Sequence, residues 1–150
     1  MEDFQWKDLM DNDIICFGPS TMELGWEITR WSSFIRWFKK RYSHKKIYVA
    51  TREDRIDLYY GAVDDVFTFK IKGDYEKYRP NMYHLDFFPK TEYENLVVDV
   101  QKVFPKAFIF RPPITNNRNF FPKENVDFKY TPREENKMII NLMRNRFRYK

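Results

Sequence analysis

The chain has 150 residues and a formal net charge of +5, a length that suits one domain of roughly 100–200 residues. With 43% hydrophobic and 33% charged residues, it does not have the composition of a disordered chain, and no apolar stretch approaches the ~20 residues of a membrane span. Cys16 is the only cysteine, which excludes an internal disulfide and a Cys-based zinc site; the acidic start Met1-Glu2-Asp3-Phe4 is unlike a signal peptide, so a cytoplasmic location is expected.

Residues 1–12 read as a polar lead-in. Ile14 to Phe17 is a short apolar run between Asp13 and Gly18-Pro19, the pattern of a strand buried on both faces. A helix is expected over residues 24–42, because Leu24, Ile28, Trp31, Ile35, Phe38 and Tyr42 alternate steps of four and three along one stripe. Phe34 and Trp37 widen that stripe, and Trp31 and Trp37 are expected to face the core. Residues 47–50 form the second expected strand. Thr51, with Asp54 three residues on, is expected to cap a short helix that carries Ile56, Leu58, Tyr59 and Tyr60, and Gly61 supplies a left-handed stop. Residues 66–71 are rich in β-formers and make a third strand.

Residues 73–89 lack a period and are rich in aromatic side chains, as loops with a function often are. Thr91 with Glu94 predicts a capped helix whose apolar stripe is Leu96, Val97, Val100, Val103 and Phe104. Residues 107–110 are a fourth strand and 126–130 a short fifth one. Thr131, Pro132 and Glu134 open a closing or linker helix over residues 132–150, so the main domain is expected to span residues 13–131. Alternation of strands with helix-length crossovers predicts an α/β, Rossmann-like fold, a mostly parallel sheet with helices on both faces.

In such sheets ligands gather beyond the carboxyl ends of the strands. Three segments should meet there: residues 18–27, 51–54 and 111–118. The first carries Ser20, Thr21, Glu23, Trp26 and Glu27, with Arg30 just beyond. It is neither a dinucleotide fingerprint nor a P-loop, since G-x-G-x-x-G and G-K-[ST] are absent. Glu23 and Glu27 fall at a helix start, where a carboxylate matches the helix dipole or serves as a proton acceptor. Arg52 lies on the second segment, and Arg111, Asn116, Asn117 and Arg118 on the third. Tyr78 and His84, in the aromatic loop, are further candidate ligand contacts. The two histidines, His44 and His84, provide neither a metal site nor a triad. A total of 15 Phe, ten Tyr and four Trp exceeds what a small core requires, so some are expected to line a groove. The basic clusters at 39–46 and 144–150 read as a solvated rim or as an attraction for anions; no nucleic-acid motif accompanies them.

The run Gly18-Pro19-Ser20-Thr21-Met22-Glu23-Leu24-Gly25-Trp26-Glu27, between a strand and a helix containing Arg30-Trp31, resembles the N-terminal half of a GT-B glycosyltransferase of the heptosyltransferase-like group. The likeness continues through Ile47-Tyr48-Val49-Ala50, Leu58-Tyr59 and Asp64-Asp65-Val66-Phe67, and covers residues 13–72. The resemblance implies an acceptor-binding half that holds a sugar or glycan, with a nucleotide-sugar as co-substrate brought by a second domain not found in these 150 residues. It implies no other cofactor, and it makes Glu23 or Glu27 the base on the acceptor hydroxyl. Flat aromatic side chains, Asn and Arg suit sugar faces and hydroxyls. The alternative is a non-catalytic α/β binding or interaction module; a nucleic-acid partner is not expected.

Overall fold

The computed structural model of the protein describes residues 6–22, 27–70 and 90–112. The elements run α1 (Trp6–Asp11), β1 (Ile14–Phe17), a π-helical turn (Glu27–Trp31), α2 (Ser32–Arg41), β2 (Lys46–Arg52), a 3-10 helix (Glu53–Tyr59), β3 (Asp65–Phe69), α3 (Lys90–Val103) and β4 (Phe108–Phe110). The four strands form one parallel sheet in the order β3-β2-β1-β4. The chain therefore winds outward from β1 through β2 to β3, then returns to the other side of β1. That reversal makes β1 and β4 the switch point, the position where open α/β sheets gather ligands at the carboxyl ends of their strands.

Alternation along the strands sorts the core into two layers. Ile15, Phe17, Ile47 and Val49 join Phe110 on one face, under Leu9 of α1, Trp31, Phe34, Ile35 and Phe38 of the π turn and α2, and Leu58 and Tyr59 of the 3-10 helix. Cys16 and Ala50 turn to the other face, against Val100 of α3 and Phe104 just beyond it. Helices thus cover both faces, as the strand–helix alternation implied. Phe17 is the hub of the first layer. Its ring meets Trp31, Phe34, Phe38 and Phe110 with centroids 5.9, 6.0, 5.5 and 5.6 Å away, all edge-on, a geometry that aromatic quadrupoles favour. Trp6, Trp37 and Tyr42 pack around this cluster, so much of the aromatic content of the described residues goes into core. Burial pushes the Cys16 thiol up to about 12, which makes it an inert packing group.

Several local expectations shift. Within the polar lead-in, residues 6–11 form α1, because Leu9 is fully buried and anchors the turn. Thr51 does not cap a helix: it extends β2, and the 3-10 helix begins without a side-chain cap. Gly61 does take the left-handed conformation, with φ 71°. In α3 the buried positions are Tyr93, Val97 and Val100, while Val103 is exposed. Glu94 of the expected capping box pairs instead with Arg111, 2.9 Å away. The aromatic loop at 73–89, the fifth strand and the closing helix lie outside the described residues. Among the described residues, no helix is long and apolar enough to cross a membrane.

Candidate functional site at the carboxyl end of the sheet

Residues 18–22 leave β1 and lie across the strand ends, held by four bonds to four different elements. The Gly18 N–H donates to the Phe110 carbonyl at 2.9 Å and the Ser20 N–H to the Ala50 carbonyl at 3.1 Å. The Tyr93 hydroxyl donates to the Pro19 carbonyl at 2.9 Å, and Arg55 Nη1 to the Met22 carbonyl at 2.5 Å. Gly18 is required for this close approach. Its φ is +132°, and a Cβ there would lie 2.4 Å from the Ala50 carbonyl oxygen, so no larger residue fits.

The loop presents two adjacent hydroxyls, Ser20 Oγ and Thr21 Oγ1. Both residues are buried, at 0% and 2% exposure, and neither hydroxyl has a hydrogen-bond partner among the described residues. A buried hydroxyl left unpaired costs about 1–3 kcal/mol, so two in sequence are a feature to be explained. They stand at the switch point between β1 and its neighbours.

Behind the loop, Glu27 is wholly buried, and both of its oxygens are engaged. Oε1 accepts hydrogen bonds from Thr51 Oγ1 and the Tyr59 hydroxyl, each at 2.6 Å. Oε2 accepts from Arg55 Nη1 at 2.7 Å. The Arg55 side chain is 6% exposed, so the ion pair is desolvated on both sides. Burial, with the Glu27 carboxylate beside it, pushes the Tyr59 phenol well above its usual range.

Compared with protein-family models, curated proteins and solved structures, the chain matches none of them. Its site therefore rests on its own residues.

Two expected site positions, Arg52 and Arg111, lie at the strand ends with Ser20, Thr21 and Glu27. Arg52 closes β2, where Nε and Nη2 donate to the two carboxylate oxygens of Asp54 at 3.1 and 3.2 Å. Burial, with Arg55 nearby, lowers the Arg52 pKa. Arg111 follows β4, forked onto Glu94 and lying 5.9 Å from the Tyr93 ring centroid. Arg30 is exposed on the π turn. Glu23, Trp26, Tyr78, His84, Asn116, Asn117 and Arg118 lie outside the described residues.

Sequence reasoning missed Arg55 and the roles of Thr51 and Tyr59. Thr51 looked like a cap and Tyr59 like helix core. Arg55 and Tyr59 are four apart on one short helix, the one local hint that they could share a partner. The partner, Glu27, is 28 residues from Arg55, and only the fold brings them together. Among the described residues, no group of three His, Cys, Asp or Glu could hold a metal ion.

Proposed function

We propose that the chain is the acceptor-binding side of a glycosyltransferase, which moves a sugar from a nucleotide-sugar donor to a hydroxyl acceptor held at the loop after β1. The observation that carries this reading is the pair Ser20 and Thr21, whose hydroxyls have no partner among the described residues. Hydroxyls both donate and accept, so they suit a ligand made of hydroxyls, and at the switch point such a ligand would satisfy them. The charge pattern supports an acceptor that is not a polyanion. Among the described residues at this end, Arg52, Arg55, Lys70 and Arg111 each face a carboxylate: Asp54, Glu27, Glu53 and Glu94. A nucleic acid would be better served by uncompensated cations. The resemblance of residues 13–72 to GT-B acceptor halves points the same way, with the donor nucleotide held by a second domain. The lone buried thiol suits the reducing cytoplasm.

Glu23 is the proposed base, since a sugar hydroxyl needs a positioned proton acceptor. The test is Glu23→Gln in a protein that carries a donor-binding half, assayed with a panel of nucleotide-sugars. Turnover should fall by about 10²–10⁴-fold with the melting temperature unchanged. Near-normal turnover would remove Glu23 from the chemistry. The enclosure of Glu27 favours a second reading, a non-catalytic binding module, because it leaves one fewer accessible carboxylate. Sugar binding without transfer, in a protein with a donor-binding half, would select that reading.

A further inference from the structure

A single nitrogen, Arg55 Nη1, donates both to the Glu27 carboxylate at 2.7 Å and to the Met22 carbonyl at 2.5 Å. The first contact places the guanidinium; the second holds the end of the 18–22 loop. Glu27 is in turn fixed by Thr51 of β2 and by Tyr59 of the 3-10 helix. The chain of contacts runs from the strand, through the carboxylate and the guanidinium, to the backbone of the loop that carries Ser20 and Thr21.

We propose that Glu27 is a positioning residue: with Arg55 it locks the 18–22 loop over the strand ends, and it exchanges no proton with ligand. The inference rests on reading this loop as the ligand loop. A general base must come within about 2.6–3.2 Å of the proton it takes. Both Glu27 oxygens are already taken by three donors from the protein itself, Thr51, Tyr59 and Arg55, whereas the equally buried Ser20 and Thr21 hydroxyls have no partner among the described residues. A desolvated ion pair is no better for stability than two apolar side chains of the same size. What it adds here is direction, since a guanidinium can grip a carbonyl and an apolar side chain cannot. Preorganising a ligand loop in this way lowers the cost of ordering it at the moment of binding.

Glu27→Gln alone strands the Arg55 charge and disturbs the whole core, so the test is the double variant Glu27→Gln/Arg55→Met, which removes both charges. Residue-resolved amide exchange reads it. The Ser20 amide, bonded to Ala50, should exchange about tenfold faster or more, while Cys16 and Val49 in the sheet stay within about twofold of the parent. Arg55→Lys keeps a cationic donor beside the carboxylate and should restore slow exchange at Ser20. In a protein competent for transfer, the double variant should raise the acceptor KM far more than it lowers kcat, with the pH profile unmoved. An unchanged Ser20 amide, or an equal rise throughout β1 and β2, would overturn the proposal; so would a collapse of kcat with KM intact. Amide exchange needs no substrate, so a local loosening without any sugar transfer by a protein that carries a donor-binding half would sink the glycosyltransferase reading and leave the positioning role standing.

Discussion

The two ends of the sheet solve the same problem to different degrees. At the amino end, Lys45 is buried, Asp64 and Lys39 are half-buried, and their contacts close on the fold itself. Lys45, 4% exposed, donates to the Met10 and Asn12 carbonyls at 3.1 and 2.7 Å, capping the end of α1 where a cation is favoured. Asp64 Oδ2 accepts from Lys39 Nζ and from the Ile47 N–H, both at 2.8 Å. Burial would raise the Asp64 pKa, but the Ile47 N–H and the Lys39 ammonium together hold it below the usual carboxylate value. At the carboxyl end the Arg55–Glu27 pair is equally enclosed, yet Ser20 and Thr21 keep hydroxyls with no partner among the described residues. Among the described residues, this contrast separates the clamp at the amino end from the proposed ligand site at the carboxyl end.

The largest effect that would sharpen this contrast is expected at Glu27. Glu27→Ala leaves Arg55 as a buried, uncompensated charge and should lower the unfolding free energy by about 3–5 kcal/mol, read by urea denaturation. A loss under about 1 kcal/mol, the level of an exposed pair, would mean that water reaches the pair. At the opposite end, Lys45→Met keeps the stem and removes the ammonium. It should cost about 1–3 kcal/mol and release α1, seen as faster amide exchange in residues 9–12. Unchanged exchange there would show that Leu9 alone holds the helix.

Alkaline pH should weaken the fold through the carboxyl-end network and the sheet beneath it. Cys16 is raised from 9.0 to about 12, and Tyr59 lies well above its ordinary 10.0. Above those ordinary values the unfolded chain ionises while the folded chain keeps its protons. Stability is therefore complete below about pH 9 and falls as pH rises, by up to about 1.4 kcal/mol per unit for each group. Tyr59→Phe should flatten the fall above pH 10, measured as melting temperature against pH; an equally steep fall in that variant would clear Tyr59.

The sheet was legible because its signals are local. Short apolar runs bounded by Gly18-Pro19 and by Gly61, and one stripe through Ile28, Trp31, Ile35 and Phe38, each specify an element without distant help. That residues 18–22 lie at the carboxyl ends of the strands followed from the fold rule for such sheets. Helix α1 was hidden because its single buried anchor, Leu9, gives no periodicity. The roles of Thr51, Arg55 and Tyr59 were hidden for another reason. Each side chain has an ordinary local meaning, and only the parallel register of β1 and β2 brings Glu27 among them. Burial turns polar residues into a network, and burial of a polar residue leaves no period in the sequence.

The smallest expected change in stability bears most directly on the central claim, that the carboxyl end holds hydroxyls in reserve for a ligand. Ser20→Ala/Thr21→Val removes both groups while nearly keeping their volume. If the hydroxyls have no partner in the fold, deleting them removes a desolvation cost and breaks no bond. The unfolding free energy of the double variant should match the parent or exceed it by up to about 1 kcal/mol. A loss greater than about 1 kcal/mol would show that the hydroxyls are bonded within the protein, and the claim of a site waiting for a ligand would fail.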